Sequence, residues 1–417
     1  VIVFNNLFRF GSPSMSVPGS AAPANAKPAN AVSVTSVPAM RREDFPAFDR
    51  FTYLNTASAG LVPLAAVHAA HEFEAELAQA GTTGMDEDAE VAILEGAREA
   101  AAHLLGADPS TISIGTSFTE AVCQVAWWLR PGKGQNVVSS DVDFPSVTYP
   151  WYRISEDTGC EVRLVSVLDD PESFDVSKVA EHVDSATAAI CISHVQYLTG
   201  HLLDLHELAT LAHDNGALLI VDATQSAGQV PIDVAAADVD VLITGSYKWL
   251  CGTFGAAACY VSPSLLERFR PPFVGWRSTE HPYTLDAHWK PLASTARRME
   301  YSTGSYAAAI AFGQAIRYVS TMSLDEVAAH NADLASQIAE GLSERGAQLL
   351  TPADPRRRAG SVTARFPGHD GEAIAAELTR RGVIVSPRVG STRFSMHFYN
   401  NTDDVSRALA VLDDVLR

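Results

Sequence analysis

The sequence predicts an α/β protein: a large domain with a mainly parallel, seven-stranded-type sheet sandwiched by helices, then a smaller α+β C-terminal domain. Three observations lead there. Seven short apolar runs, mostly β-branched, punctuate residues 111–261, and helical stretches such as "DLHELATLAHDNG" alternate with them. The runs are apolar on both faces, which suits a parallel sheet covered by helices on each side. From about Met322 the texture changes to a long helix followed by shorter strands and helices.

Taken in order, residues 1–45 read as a loose tail, because "GSAAPANAKPANAVSVTSVP" is built of small and Pro residues that bury little. The preceding "VIVFNNLFRFGS" has no initiator methionine and reads as an expression remnant. Residues 46–300 are expected to form the large domain, with 46–62 lining its site. From Met85 the apolar residues of "AEVAILEGAREAAAHLLGA" recur at helical spacing. The strand candidates are "TISIG", "QNVVSS", "EVRLVSV", "AAICISH", "ALLIVDA", "DVDVLITG" and "GAAACYV". Residues 301–417 are assigned to the smaller domain, through "SVTARFP", "GEAIAAELTRRG", "VIVSPR", "STRFSMHFY" and a closing helix.

Composition narrows the function. A net charge of −19 argues against a nucleic-acid groove or an anionic membrane surface, which need clustered Lys and Arg. No apolar run reaches the roughly 18 residues that span a bilayer. The five cysteines (Cys123, Cys160, Cys191, Cys251, Cys259) are scattered without a C-x-x-C pair, so a reducing, cytoplasmic setting and no metal site are expected. A small molecule is the expected ligand.

Ligands of such sheets sit beyond the carboxyl ends of the strands. Asp222 closes "LLIVD" and Lys248 follows "VLITG", so both fall at that edge. A buried amine there can form a Schiff base with a carbonyl, while an acid nearby can keep a pyridine nitrogen protonated; together they suit pyridoxal 5′-phosphate. A surface lysine and a helix-capping aspartate are the plain alternative.

Several segments together resemble fold-type I pyridoxal-phosphate enzymes of the class V aminotransferase group, which includes cysteine desulfurases, kynureninases and isopenicillin-N-epimerase-like proteins. The likeness runs from about Tyr53 to the C-terminus. "VDATQSAG" resembles the D-x-x-Q segment, which implies that Asp222 pairs with the ring nitrogen and Gln225 contacts the ring's phenolic oxygen. "TGSYKWL" resembles the cofactor-lysine segment, implying Lys248 as the Schiff-base amine and the catalytic base, with Tyr247 on the phosphate and Ser246 as a weaker candidate. "GTSFTEAVCQVAWWL" resembles the turn that sets a helix N-terminus against the phosphate, placing Phe118 and Thr119 there. "SSDVDFPSVTYPW" puts Phe144 where an aromatic ring stacks on the pyridine, although an aromatic in such a run is also ordinary core. "MEYSTGSYAAAIAF" resembles a loop that reaches the neighbouring subunit's site, implying a homodimer in which Thr303 donates to the partner's phosphate; an N-cap is the local alternative. "STRFSMHFYNN" resembles the strand whose arginine clamps the substrate carboxylate, here Arg393, and "YLNTASAG" the segment lining the substrate pocket with Asn55, Thr56 and Ala57. Arg388 is a second anion contact or simply exposed. "ISHVQYLTG" departs from the desulfurases in carrying Tyr197 where they have Asn, which leaves His194, Gln196 and Tyr197 without assigned roles.

Desulfurases of this group need a cysteine on a loop before the carboxylate-binding arginine, and "RRGVIVSPRVGSTRF" has none. Cys251 is closest to the lysine in sequence and reads as packing. The leading expectation is therefore β-elimination from a cysteine conjugate, a C–S lyase-like reaction. Transamination, epimerisation and kynureninase-like cleavage are the competitors. In "VGWRSTEHPYTLDAHWKP", Trp276, Arg277, His281 and Tyr283 are either substrate contacts or loop structure.

Overall fold

The computed structural model describes residues 42–417; the readings made for residues 1–41 lie outside the described residues. After a two-residue strand β1 (Thr52–Tyr53) come helices α1 (Leu64–Ala80) and α2 (Glu87–Leu105). The chain then alternates: β2 (Ile112–Gly115), α3 (Phe118–Leu129), β3 (Asn136–Ser140), α4 (Pro145–Thr158), β4 (Glu161–Val165), α5 (Val176–Ala180), β5 (Thr187–Ser193), α6 (Leu205–Asp214) and β6 (Leu218–Asp222). Strands β7 (Val241–Gly245) and β8 (Ala257–Val261) and helices α7 (Pro263–Arg268), α8 (Tyr306–Val319) and α9 (Leu324–Glu344) follow. The rest is β9 (Gln348–Leu349), β10 (Ser361–Arg365), α10 (Gly371–Arg380), β11 (Val383–Ile384), β12 (Ser386–Arg388), β13 (Ser391–Ser395) and α11 (Thr402–Val415).

All seven sequence-predicted runs join one sheet, ordered β2-β8-β7-β6-β5-β3-β4, in which β8 alone runs antiparallel to its neighbours. Strands β3, β5, β6 and β7 are buried on both faces, so their unbroken apolar character is what the two flanking helix layers require. Their parallel register delivers Ser140, Ser193, Asp222 and Gly245 to one edge.

A second, antiparallel sheet of order β12-β13-β10-β9 packs under α9, α10 and α11 around Leu334, Ile338, Leu378, Phe394 and Leu412. Helix α8 instead buries Ala308, Ala309, Phe312 and Ile316 in the core of the large sheet, beside α1 and α2. The N-terminal segment joins the smaller core: β1 pairs with β11 in a two-stranded parallel sheet, and Leu54 packs beside Phe394 and Leu378. Among the described residues no helix is long and apolar enough to cross a membrane.

Strands β12 and β13 are joined by a two-residue turn, Val389–Gly390, with φ of 46° and 69°. Both values are positive, as the tight hairpin turn matching strand twist demands. Gly390 adopts this freely, whereas a β-branched residue crowds its own carbonyl there. Val389→Gly is expected to raise stability by about 1 kcal/mol, measured as a shift of the denaturant midpoint; a lower midpoint would contradict the strain.

Candidate active site

Asp222 and Lys248 lie at the C-terminal edge of adjacent strands and sense each other's charge, yet they form no direct ion pair. The Asp222 carboxylate is buried and accepts from the Thr224 N–H at 2.8 Å. Burial pushes its proton affinity up, against the pull of that hydrogen bond and of Lys248. Lys248 is 8% exposed, and its amine has no hydrogen-bond partner among the described residues. Desolvation wins over the attraction of Asp222 and lowers the amine to about 8, with Arg393 and Arg388 adding to the fall. The result is a lysine that gives up its proton readily.

The backbone around it is clamped from three sides. Gly60 N–H donates to Tyr247 O at 2.8 Å, and a Cβ on Gly60 would lie 2.0 Å from Lys248 O, so only glycine permits this approach. Trp249 donates through Nε1 to Gln225 Oε1 at 2.7 Å, and the buried His397 contacts Trp249 O through Nε2 at 2.9 Å. Ser246 is buried and donates to Thr253 O, which closes the lysine turn on itself.

Phe144 caps α4 and remains 43% exposed, with its ring centroid 5.5 Å from Lys248 Nζ. Tyr197 meets it edge-on at 5.4 Å. Beneath Phe144, the buried Asp143 accepts from Ser139 Oγ, from Ser140 N and Oγ, and from Ser193 N, which binds β3 to β5 at this edge. Phe118 begins α3, and Thr119 Oγ1 donates to Ser146 Oγ at 2.9 Å. The first turns of α3 and α4 are thereby held side by side, an arrangement suited to an anion. The Tyr247 ring lies 5.8 Å from Lys248 Nζ and stacks on Phe254.

Arg393, on the central strand β13, is 0% exposed. It donates to Tyr197 O at 2.6 Å and to Ser58 Oγ at 2.9 Å, and its Nε is buried without a partner. Burial depresses the guanidinium to about 9. A buried cation with an orphan donor is an open demand for an anion.

The other sequence-predicted residues divide. Thr56 Oγ1 shares a 2.5 Å hydrogen bond with the buried Tyr399 hydroxyl, and Ala57 O accepts from Gln225 Nε2 at 3.0 Å. Gln225 thus has both ends of its amide engaged, bridging the N-terminal segment to Trp249. Asn55 Oδ1 and Gln196 Oε1 are buried without partners, as is His194 Nδ1, whose ring burial holds near 4 and therefore neutral. Thr303 lies exposed on the loop beside Glu120 and Thr116. That loop follows Glu300, which is locked in a buried bidentate pair with Arg98 at 2.7 and 3.1 Å. Arg277 and Tyr283 bind Glu90 on α2 with Tyr306, so they serve loop structure. Ser58 and Asp143 escaped the sequence reading: a carboxylate ending "SSDVD" was a usable signal for Asp143, while nothing local marks Ser58.

The profile of one family, aminotransferase class-V, matches residues 52–408. An uncharacterised aminotransferase of Bacillus subtilis is 28% identical over 373 residues, covering 89% of this chain and 96% of that protein. Isopenicillin N epimerase of Streptomyces clavuligerus is 28% identical over 378 residues, covering 86% and 94%. A cystine C–S lyase solved with its product, cysteine persulfide, superimposes with a TM-score of 0.82 at 23% identity, covering 89% of this chain and 99% of that one.

Because the Lys248 amine is lowered to about 8 from 10.5, the apoprotein's rate of reaction with an added aldehyde should rise with pH to a midpoint near 8, followed by absorbance. By the same shift its stability climbs between about 8 and 10.5, where the unfolded chain binds the proton and the folded one does not, and is flat below. A midpoint at the ordinary lysine value would show that Asp222 outweighs burial.

Proposed function

The chain belongs to the aminotransferase class-V family, and from that premise we propose that it is a pyridoxal-phosphate enzyme of C–S lyase type, eliminating the sulfur substituent from a cysteine-derived amino acid. The residues present fit the cofactor. An amine that is buried, unpaired and easily deprotonated suits its aldehyde, a buried carboxylate one strand away suits its ring nitrogen, and two adjacent helix N-termini suit its phosphate. Lys248 would hold it covalently, Asp222 would keep the ring nitrogen protonated, Phe144 would cover one ring face, and Phe118, Thr119 and Tyr247 would line the phosphate.

The bound cofactor supplies an electron sink for charge released at the substrate's α-carbon. The chain's own groups do the remainder. Arg393, with its orphan Nε, takes the α-carboxylate and so fixes which bond at the α-carbon faces the lysine. Lys248, freed as a neutral amine, accepts the α-proton and then carries it within reach of the leaving sulfur. Breaking the Cβ–S bond releases a thiol, and water converts the remaining three-carbon unit to pyruvate and ammonia.

One observation carries elimination over persulfide-forming desulfuration. The segment from Arg388 to Arg393 is a tight hairpin with a two-residue turn and no cysteine, so no thiol-bearing loop stands before the carboxylate arginine. Cys251, the thiol nearest Lys248 in sequence, is fully buried, and burial drives its thiol well above the ordinary range. Incubation with S-substituted cysteines should yield pyruvate, ammonia and thiol in equal amounts, falling about 10²–10⁴-fold in Lys248→Ala; no pyruvate from any of them would remove this reading. The 28% identity to isopenicillin N epimerase favours epimerisation as the second reading. Deuterium appearing at Cα with the side chain intact would select it.

The exposure of Thr303, and of Phe254 at 71% beside Tyr247, supports a homodimer with shared sites. Light scattering should give twice the 44.5 kDa chain mass. Mixing Lys248→Ala subunits with Thr303→Trp subunits should restore activity through hybrid dimers having one intact site, and no recovery on mixing would count against sharing.

A further inference from the structure

Arg393 is not the sole cation over the substrate side of the pocket. Strands β12 and β13 pair Arg388 with Ser391 and Ser386 with Arg393. Residues directly opposite in an antiparallel pair share a face, as do residues two apart along a strand. Ser386, Arg388 and Arg393 therefore stand on one face of the hairpin, and that face meets Ser58. Arg388 Nη2 donates to Ser58 Oγ at 2.9 Å, the same oxygen that Arg393 Nη2 reaches at 2.9 Å, and Ser58 Oγ donates to Ser386 Oγ at 3.2 Å.

Neither guanidinium has a carboxylate partner among the described residues. The remaining acceptor of Arg388 is its neighbour Pro387 O, at 2.7 Å, and that of Arg393 is Tyr197 O. Like charges so placed repel, and both arginines depress Lys248 as well. Two cations thus share one face and one hydroxyl, within range of the Lys248 amine. A chain with an excess of 19 negative charges keeps two unpaired arginines at one hydroxyl. One α-carboxylate satisfies one fork, since two parallel N–H···O bonds are the geometry a guanidinium offers a carboxylate. The second fork is surplus to an amino acid with a neutral side chain.

We propose that Arg388 is a specificity residue that binds a second anionic group on the substrate side chain, so that the preferred substrates are α-amino acids carrying a side-chain acid. This rests on the pyridoxal-phosphate reading of the site and adds the substrate class. In the free protein Ser58 holds both guanidiniums through one neutral oxygen, and the incoming anions replace it.

The test uses the holoenzyme and the change in cofactor absorbance on binding, with L-aspartate and L-glutamate as acidic probes and L-alanine and L-norvaline as neutral ones. The wild-type protein should bind the better acidic probe about tenfold or more tightly than the neutral probe of similar size, as a hydrogen bond between charged groups allows. In Arg388→Gln that ratio should fall to about one, and Arg388→Lys should keep part of it as a point charge. Retained cofactor absorbance and an unchanged melting temperature show that the variant is folded. Equal weakening of acidic and neutral probes in Arg388→Gln would mean that both arginines clamp the α-carboxylate, and would overturn the proposal, as would a wild-type protein without acidic preference. A protein that takes up no pyridoxal phosphate would instead remove the underlying reading, so the two failures are distinct.

Discussion

The site depends on burying positive charge without giving it a negative partner. Lys248 sits beside Asp222 but makes no ion pair with it, and Arg393 is wholly enclosed with only neutral oxygens to donate to. Such an arrangement costs folding energy, because desolvation of an ion is repaid only by a well-placed counter-charge. The cost is carried by the surrounding frame: a sheet buried on both faces, with helices packed on each side. What results is a site with donors left over for anions and an amine that loses its proton near 8 and not near 10.5.

The same constraint explains the clamps. A lysine held by a flexible turn would swing to solvent and recover its hydration. Here the turn after β7 is pinned by Gly60 from the N-terminal segment, by Gln225 from the turn after β6, and by His397 from the C-terminal region. Residues 188 and 149 positions away in sequence from Lys248 thus fix where its amine points. The N-terminal segment runs from β1, paired to β11, across Ser58 under the two arginines, to Gly60 against the lysine peptide. Both sheets are thereby bound to one set of reacting groups.

Family membership sets the frame, and the hairpin between Arg388 and Arg393 shapes the cationic side of the site within it. Two residues of turn leave space for neither a mobile loop nor a thiol. The register of the two strands also brings two guanidiniums onto one face.

Much of this was readable from the chain alone. The strands showed because a strand buried on both faces must be apolar throughout, and such a run is a local property. Asp222 and Lys248 showed because parallel strands place their C-terminal residues at a common edge, so position along the run is enough. Ser58, Asp143 and the pairing of Arg388 with Arg393 were beyond it. A serine gives no local pattern, and whether an arginine is exposed or enclosed is decided by which distant segments fold over it. Sequence determined the architecture and the place of Asp222 and Lys248 at the strand edge through periodicity and order. Tertiary structure decided the lowered proton affinity of the Lys248 amine and which buried donors are left without partners, because desolvation depends on neighbours that meet only in the folded chain.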